Sequence, residues 1–209
     1  MTQNRETVVF VHGLYMTGLD MALLRRRVRR AGFETRQFHY HSVLTSVAEN
    51  AAKLADYIAK LNAETLHLVG HSLGGLVILR MFEAGAPIPP GRVVLMGSPV
   101  RGSATARDLV ERNLGWLLGR SGPNGLAEQY EPVWNPRRDL GVVIGTGGAG
   151  FGLPHRELMG ANDGVVTAEE THLAGTTDYI EVKASHTGLL FNAEAARQVI
   201  AFLRAGAFQ

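Results

Sequence analysis

"LHLVGHSLGGLVILR", residues 66–80, decides the fold, because it places a serine between glycines where one apolar run ends and another begins. The first run has the length and character of a buried strand, and the second has those of a buried helix. Gly70, Ser72 and Gly74 fit the pattern G-x-S-x-G, which is typical of a sharp strand-to-helix turn that exposes a nucleophilic serine. The alternative is an ordinary connection in which Ser72 caps the helix.

The glycines in this stretch have a physical explanation if Ser72 lies on such a turn. The turn forces a positive φ on the serine, which lifts its oxygen clear of the sheet. The strand and the helix then pass so closely that positions 70 and 74 must lack side chains. The helix also points its free N–H groups and its positive end at the same place. We therefore predict that Ser72 is a nucleophile and that Gly70, His71 and Gly74 support its turn.

The rest of the chain alternates between β-rich and helical patterns. Strand-like runs occur at 7–13, 34–42, 64–70, 91–98, 140–145 and 178–185, and helical runs at 19–31, 46–61, 73–85 and 192–204. Ser46 with Glu49 three residues later predicts a capping box for the second helix. This alternation predicts a single α/β domain over residues 1–209, with a doubly wound, mostly parallel sheet of about six strands and helices on both faces.

Residues 100–139 interrupt the alternation with about forty residues between two strands, far more than the usual connection. Within them, 108–119 carries several large apolar side chains, among them Leu114 and Trp116. Long insertions at the carboxyl edge of an α/β sheet commonly form lids or substrate walls. We predict a helical, lid-like insertion that could contact a lipid interface; an extra packed helix is the alternative.

The composition excludes several classes of protein. The 209 residues contain no cysteine, which excludes a disulfide framework and a thiolate metal site, and no apolar run long enough to span a membrane. The net charge is only +2, and the one dense basic run, Arg25–Arg30, fits the solvated face of a helix. We expect no nucleic-acid partner and no stable membrane insertion. The simplest expectation for location is the cytoplasm, because no signal peptide is evident.

A serine hydroxyl near pH 7 needs a base and a group that orients the base. Because parallel strands end at one edge of the sheet, both partners should follow later strands. His186 directly follows the last predicted strand, and Asp163 follows the fifth. We predict His186 as the base and Asp163 as the acid. Glu169 and Glu170 are the alternative acids.

Stabilising the charge that develops in acyl transfer requires two backbone N–H donors. One should come from the residue after the nucleophile, Leu73, and one from the loop after an early strand. The first strand ends in His12–Gly13, so the N–H of Leu14 should face the site, with His12 and Gly13 supporting its loop.

Two other patterns suggest a cofactor or a metal. Gly145, Gly147 and Gly150 form a G-x-G-x-x-G directly after a strand, but the helix required for dinucleotide binding does not follow. His39 and His41 lie on one strand face without an evident third ligand. We therefore predict neither a cofactor nor a metal, and expect the glycines to form a turn near the rim of the site.

Five motifs in this order, "VHGL" (11–14), "GHSLGG" (70–75), "GSPVRGSATA" (97–106), "NDGVV" (162–166) and "SHTGLL" (185–190), resemble the α/β-hydrolase superfamily, in particular its compact bacterial lipases and esterases. The resemblance covers essentially the whole chain. It implies a cofactor-free serine hydrolase of carboxylic esters that acts on a small-molecule ester or lipid through an acyl-enzyme. It also implies a triad of Ser72, Asp163 and His186, with Leu14 and Leu73 as oxyanion donors. A thioesterase or acyltransferase with the same triad, and a non-catalytic binding protein with this fold, are the alternatives.

Overall fold

The structure is a computed structural model that describes residues 6–134, 138–148 and 160–209. Its core is a sheet of six strands in the order β2-β1-β3-β4-β5-β6, with every neighbouring pair parallel. The strands are β1 (Thr7–Val11), β2 (Glu34–Phe38), β3 (Leu66–His71), β4 (Val93–Met96), β5 (Leu140–Gly145) and β6 (Asp178–Val182). The main helices are α1 (Ala22–Arg30), α2 (Val47–Ala59), α3 (Leu73–Glu83), α4 (Ala104–Glu111) and α5 (Ala193–Ala205). The predicted doubly wound α/β fold is confirmed.

The sheet is covered on both faces by helices, which explains why its central strands are apolar at every position. Successive side chains of a strand point to opposite faces. In β1, Val9 and Val11 pack into the layer that contains α2 and α3, whereas Val8 and Phe10 pack into the layer that contains α1 and α5. Both layers remove large apolar side chains from water, which is the main stabilising contribution in such a fold.

Side-chain caps begin three of the described helices, α2, α4 and α5, and the first of them is the one predicted from the sequence. At α2, Ser46 Oγ accepts the N–H of Glu49 at 3.2 Å, and the Glu49 carboxylate accepts the N–H of Ser46 at 2.7 Å, which confirms the capping box. At α5, the Asn192 side chain accepts the N–H of Ala195. At α3, by contrast, the side chain of Ser72 makes no capping hydrogen bond. The interpretation of Ser72 as an ordinary helix cap is therefore wrong.

The edge elements are shorter than their sequence patterns. β2 ends at Phe38 instead of 42, because the chain turns away and His39 Nδ1 meets the carbonyl of Thr17 at 2.9 Å. β6 ends at Val182 instead of 185, because the N–H of Ala184 bonds back to the carbonyl of Val182 at 2.7 Å. α1 begins at Ala22 rather than at 19, after a turn in which Asp20 accepts the N–H of Thr17.

The insertion is helical, but it is not the helix that 108–119 suggests. α4 ends at Glu111, Asn113 adopts φ +60°, and a kinked 3-10 segment, Gly115–Ser121, and a π-helical turn, Gly122–Leu126, follow. The insertion packs on the loop after β2, where Ser121 Oγ donates to the carbonyl of Ser42 at 2.7 Å. Its function as a lid stays a prediction. None of the helices in the described ranges is long and apolar enough to cross a bilayer.

Candidate active site

Ser72 lies between β3 and α3 in a strained backbone conformation. Its φ of 53° and ψ of −124° confirm the positive φ predicted for this position. Such a conformation costs about 1–3 kcal/mol in a non-glycine residue and persists only when its surroundings enforce it. One such constraint is the hydrogen bond from the Ser72 N–H to the carbonyl of Met96 at 3.0 Å, which ties the turn to the end of β4.

The flanking glycines are required by close backbone contacts. A methyl group added at Gly74 would lie 2.1 Å from the carbonyl oxygen of Val11, so α3 crosses the end of β1 without room for a side chain. A methyl group at Gly70 would lie 2.8 Å from the backbone nitrogen of Gly75. The G-x-S-x-G spacing thus follows from how closely α3 approaches β1 and β3.

Asp163 and His186 form a direct pair at the same edge of the sheet. His186 Nδ1 lies 2.7 Å from Asp163 Oδ2, and the His186 N–H donates to the Asp163 carbonyl at 3.0 Å. The carboxylate is 1% exposed, and its other oxygen, Oδ1, accepts the N–H groups of Val165 at 2.9 Å and Val166 at 2.8 Å. The carboxylate is therefore fixed in orientation and presents one oxygen to the imidazole.

The alternative acids occupy another place. Glu170 is buried and accepts the backbone N–H groups of Ala104, at the start of α4, and of Thr167 at 2.8 Å. Burial raises the pKa of Glu170, while these hydrogen bonds and Arg107 oppose the rise. Glu170 thus joins α4 to the loop after β5. Neither Glu170 nor Glu169 takes the position beside the imidazole that Asp163 occupies.

His71 connects the serine turn to the histidine loop, a relation that the sequence did not reveal. Its ring lies 4.8 Å from the ring of His186, and its Nε2 lies 3.0 Å from the His186 carbonyl oxygen. Burial, and then the neighbouring His186, lower the pKa of His71 to about 3. The ring is therefore neutral near pH 7, and its Nε2–H donates to that carbonyl.

In the described part of the chain, no hydrogen bond joins Ser72 Oγ to the His186 ring. In ligand-free structures such bonds are often long and tighten with substrate.

Gly97, at the end of β4, is a further site residue that the sequence analysis missed. It has φ +54°, and a methyl group there would lie 3.0 Å from Asp163 Oδ2 and 3.3 Å from His186 Nδ1. A side chain at this position would press directly on the Asp163–His186 pair. A glycine immediately after a buried strand was the available signal.

Gly145, the last residue of β5, and Gly147 have a similar function. A methyl group at Gly145 would lie 2.6 Å from the Asp163 Cβ, and one at Gly147 would lie 2.4 Å from the backbone carbonyl carbon of Ala184. These glycines let the loops that carry Asp163 and His186 approach β5. Gly150, the third glycine of the dinucleotide-like pattern, lies outside the described residues.

The loop after β1 brings Gly13, the residue before the predicted donor Leu14, beside the serine. A methyl group at Gly13 would lie 3.2 Å from Ser72 Cβ and 3.2 Å from His71 Nδ1. Among the described residues, no acceptor takes the N–H of Leu14 or of Leu73. Oxyanion binding by these two N–H groups remains a prediction.

Neighbouring aromatic and polar groups hold this loop in place. Tyr40 donates its hydroxyl to the carbonyl of His12 at 2.6 Å and stacks on the His12 ring at 4.3 Å. The N–H of Tyr15, which has φ +60°, donates to Ser42 Oγ at 3.1 Å. Burial lowers the pKa of His12, so this ring supports the loop in its neutral form. In the same ranges, no three side chains of the ligand types His, Cys, Asp or Glu come together as a metal site would require.

A strained serine, a histidine held by a buried carboxylate and two unpaired backbone N–H groups converge at the carboxyl edge of the sheet. Acyl transfer requires a nucleophile, an oriented base and an oxyanion site, and these are the roles predicted from the sequence for these groups.

Comparison with known proteins gives a matching family and similar folds. The model described as "Alpha/beta hydrolase family" matches residues 8–202. None of the curated protein sequences matches. The mature lipase BlEst2 of Bacillus licheniformis is 21% identical, with a TM-score of 0.71 over 98% of this chain and 93% of that one. The metagenomic carboxyl esterase MGS0156 is 20% identical, with a TM-score of 0.72 over 89% of this chain and 66% of that one. The type II thioesterase BorB of the borrelidin biosynthetic cluster is 18% identical, with a TM-score of 0.63 over 97% of this chain and 92% of that one. At these identities the solved structures show a shared fold.

Proposed function

We propose, from the premise that this chain belongs to the α/β-hydrolase family, that it hydrolyses carboxylic esters through an acyl-enzyme on Ser72. The observation that carries the proposal is the position of the Asp163–His186 pair, with its 2.7 Å contact, at the same sheet edge as the strained Ser72. A binding function alone would not require this combination. The esterase and lipase structures with the same fold are consistent with the proposal.

The proposed reaction has two halves. In the first, His186 Nε2 takes the proton of Ser72 as Oγ forms a bond to the ester carbonyl carbon, and the N–H groups of Leu14 and Leu73 bind the resulting oxyanion. His186 then gives that proton to the alcohol oxygen as the carbon–oxygen bond breaks. In the second half, water repeats these steps on the acyl-enzyme and releases the acid. Asp163 keeps the Nδ1–H tautomer of His186 and stabilises the imidazolium.

Thioester hydrolysis is a second candidate, because the fold of BorB, a type II thioesterase, covers 97% of this chain. The same groups would act on a thioester, with a thiol as the leaving group. Rates on oxygen and thiol esters of one acyl group would distinguish the two functions.

The test needs no assumption about the substrate. The protein is incubated with a fluorophosphonate, and the intact mass is measured for the wild type and for Ser72→Ala and His186→Ala variants. We expect one adduct on the wild type and none on either variant. The wild type is then assayed on a panel of esters, on which we expect activity.

A detergent arm of the same experiment tests the insertion, which exposes 73% of Trp116. Faster labelling in detergent would support a lid that contacts a lipid interface. A folded wild type that takes no adduct with or without detergent would refute the proposed catalysis and favour a binding protein.

A further inference from the structure

A cavity of about 470 Å³ opens beside the loop that carries Leu14. It lies between the loop after β1 and the loop after β2, and its wall includes His39, His41 and Lys53 of α2. Its volume falls within the range of small-molecule sites, about 300–1,000 Å³. Of its lining residues, Met16 brings its Sδ within 3.3 Å of the position that a methyl group at Gly13 would take, and that position lies 3.2 Å from Ser72 Cβ. The cavity therefore begins close to the serine turn.

The sheet order determines which part of a substrate can reach this cavity. The leaving alcohol must receive its proton from His186, which follows β6 and lies over Gly97 at the end of β4. The alcohol therefore leaves on the β4 side of Ser72. The acyl substituent must point away from His186, toward β1 and β2, where the cavity lies. The cavity is thus placed to receive the acyl part of the substrate.

The lining of the cavity favours a negatively charged group. Among the described residues, no aspartate or glutamate side chain lines it, whereas an ammonium group and imidazole rings do. Three carboxylates lie within four residues of the lining residues along the chain, Asp20, Glu49 and Asp56, and the first two have other partners. Asp20 accepts the N–H of Thr17 at 3.2 Å, and Glu49 pairs with Arg120 at 3.0 Å. None of the ion pairs in the described part of the chain involves Lys53, so its ammonium group can bind a ligand.

We infer that this cavity binds the acyl group and that the preferred acyl group carries a carboxylate at its far end, as in a monoester of a dicarboxylic acid. The inference rests on the proposed ester hydrolysis and adds the class of acid released. Lys53 would bind the carboxylate, and His39 and His41 would supply further donors. An unsubstituted alkyl chain would leave these groups without a partner.

The test compares two esters of equal size that differ in charge, monoethyl glutarate and ethyl glutaramate, by their kcat/KM values. For the wild type we expect the carboxylate ester to be favoured about tenfold, as a charge-assisted contact at a partly exposed site would provide. In Lys53→Gln we expect this preference to fall about fivefold. Lys60→Gln removes the same charge at the C-cap of the same helix, outside the cavity, and it should keep the wild-type preference. Monoethyl succinate and adipate locate the optimum length.

The outcomes separate this inference from the function on which it rests. An equal rate on the two esters, or the same preference in Lys53→Gln and Lys60→Gln, overturns the inference while fluorophosphonate labelling of Ser72 continues to support the hydrolase. A wild type that takes no adduct and hydrolyses neither ester overturns the proposed function, and the inference falls with it.

Discussion

Replacing Asp163 with asparagine is the most informative perturbation of the site, because the structure fixes how the new amide must lie. Oδ1 accepts N–H groups from Val165 at 2.9 Å and Val166 at 2.8 Å, so the amide oxygen must occupy that position. The amide nitrogen must then replace Oδ2, which now lies 2.7 Å from His186 Nδ1. The opposite orientation of the amide is unfavourable, because it would place the NH₂ group against the two N–H donors of Val165 and Val166.

This orientation determines the size of the effect. The amide N–H would donate to His186 Nδ1, so the neutral ring would carry its proton on Nε2 and could not accept the proton of Ser72. The corresponding change in serine proteases lowers kcat about 10⁴-fold, which equals about 5.4 kcal/mol of activation free energy. We expect a loss of that order in Asp163→Asn. The volume of the side chain and its backbone contacts are nearly unchanged, so folding should be affected far less than the rate.

The assay combines kcat on an activated ester, the rate of fluorophosphonate labelling and a thermal melt. Asp139→Asn is the matched control, since it makes the same chemical change at a half-exposed ion pair with Arg92, and it should retain full activity. If Asp163→Asn keeps activity within tenfold of the wild type while Glu170→Gln loses it, the assignment of the acid is wrong. Wild-type rates in both Asp163→Asn and Glu170→Gln would show that neither carboxylate acts as the acid.

Three further predictions concern the turn, a cap and pH. In Gly74→Ala the added methyl group would lie 2.1 Å from the carbonyl oxygen of Val11 in β1. This variant should therefore have a free energy of unfolding lower by about 2 kcal/mol or more, and it should label more slowly at Ser72. An unchanged thermal midpoint would contradict this prediction. Ser46→Ala should cost about 1 kcal/mol in urea unfolding through loss of the α2 cap and leave labelling unchanged, so a loss of labelling would argue against a purely local role. Because the pKa of His71 falls from 6.5 to about 3 on folding, the unfolded chain binds more protons between those values. Wild-type stability should therefore decrease as the pH falls below 6.5, by up to about 1.4 kcal/mol per pH unit, and urea unfolding at pH 7 and pH 5 should show a smaller decrease in His71→Gln.

Features with a local or uniform signal could be predicted closely, whereas the central strands β1 and β4 end earlier than predicted, at Val11 instead of 13 and at Met96 instead of 98. Residues 140–145 form β5 as predicted, since a strand buried on both faces reads as a continuous apolar run. The capping box of α2 depends only on Ser46 and Glu49. The positive φ at Ser72 also followed from local sequence, because the neighbouring glycines indicate how closely the backbones approach.

The edges and the insertion could not be predicted as well, because tertiary contacts determine where they end. β2 and β6 are the outer strands and are only partly buried, so their sequence patterns do not show where pairing stops. In the insertion, the helical pattern continues past Glu111, but Asn113 adopts a left-handed conformation and the chain turns onto the loop after β2. Nothing in the local sequence specifies that contact.

The site residues divide in the same way. Asp163 and His186 could be placed together from chain order alone, because parallel strands end at one edge. The relation of His71 to His186 depends on how two loops fold over that edge, and a histidine next to the serine carries no signal of it. The position of Gly97 beneath the pair likewise depends on the distance between loops.

These contacts imply that the strain at Ser72 and the geometry of the base are maintained by the same structure. The Ser72 N–H bonds to Met96, and the next residue, Gly97, is the point on which Asp163 and His186 pack. His71 donates to the His186 carbonyl from the other side of the serine. A shift of β4 would therefore move the nucleophile and the base together. Relaxing the serine alone would require breaking contacts that also hold the histidine, so these shared contacts help to maintain the strained conformation. For this reason we expect substitutions at Gly97 to impair both labelling and stability, whereas Asp163→Asn should affect mainly the rate.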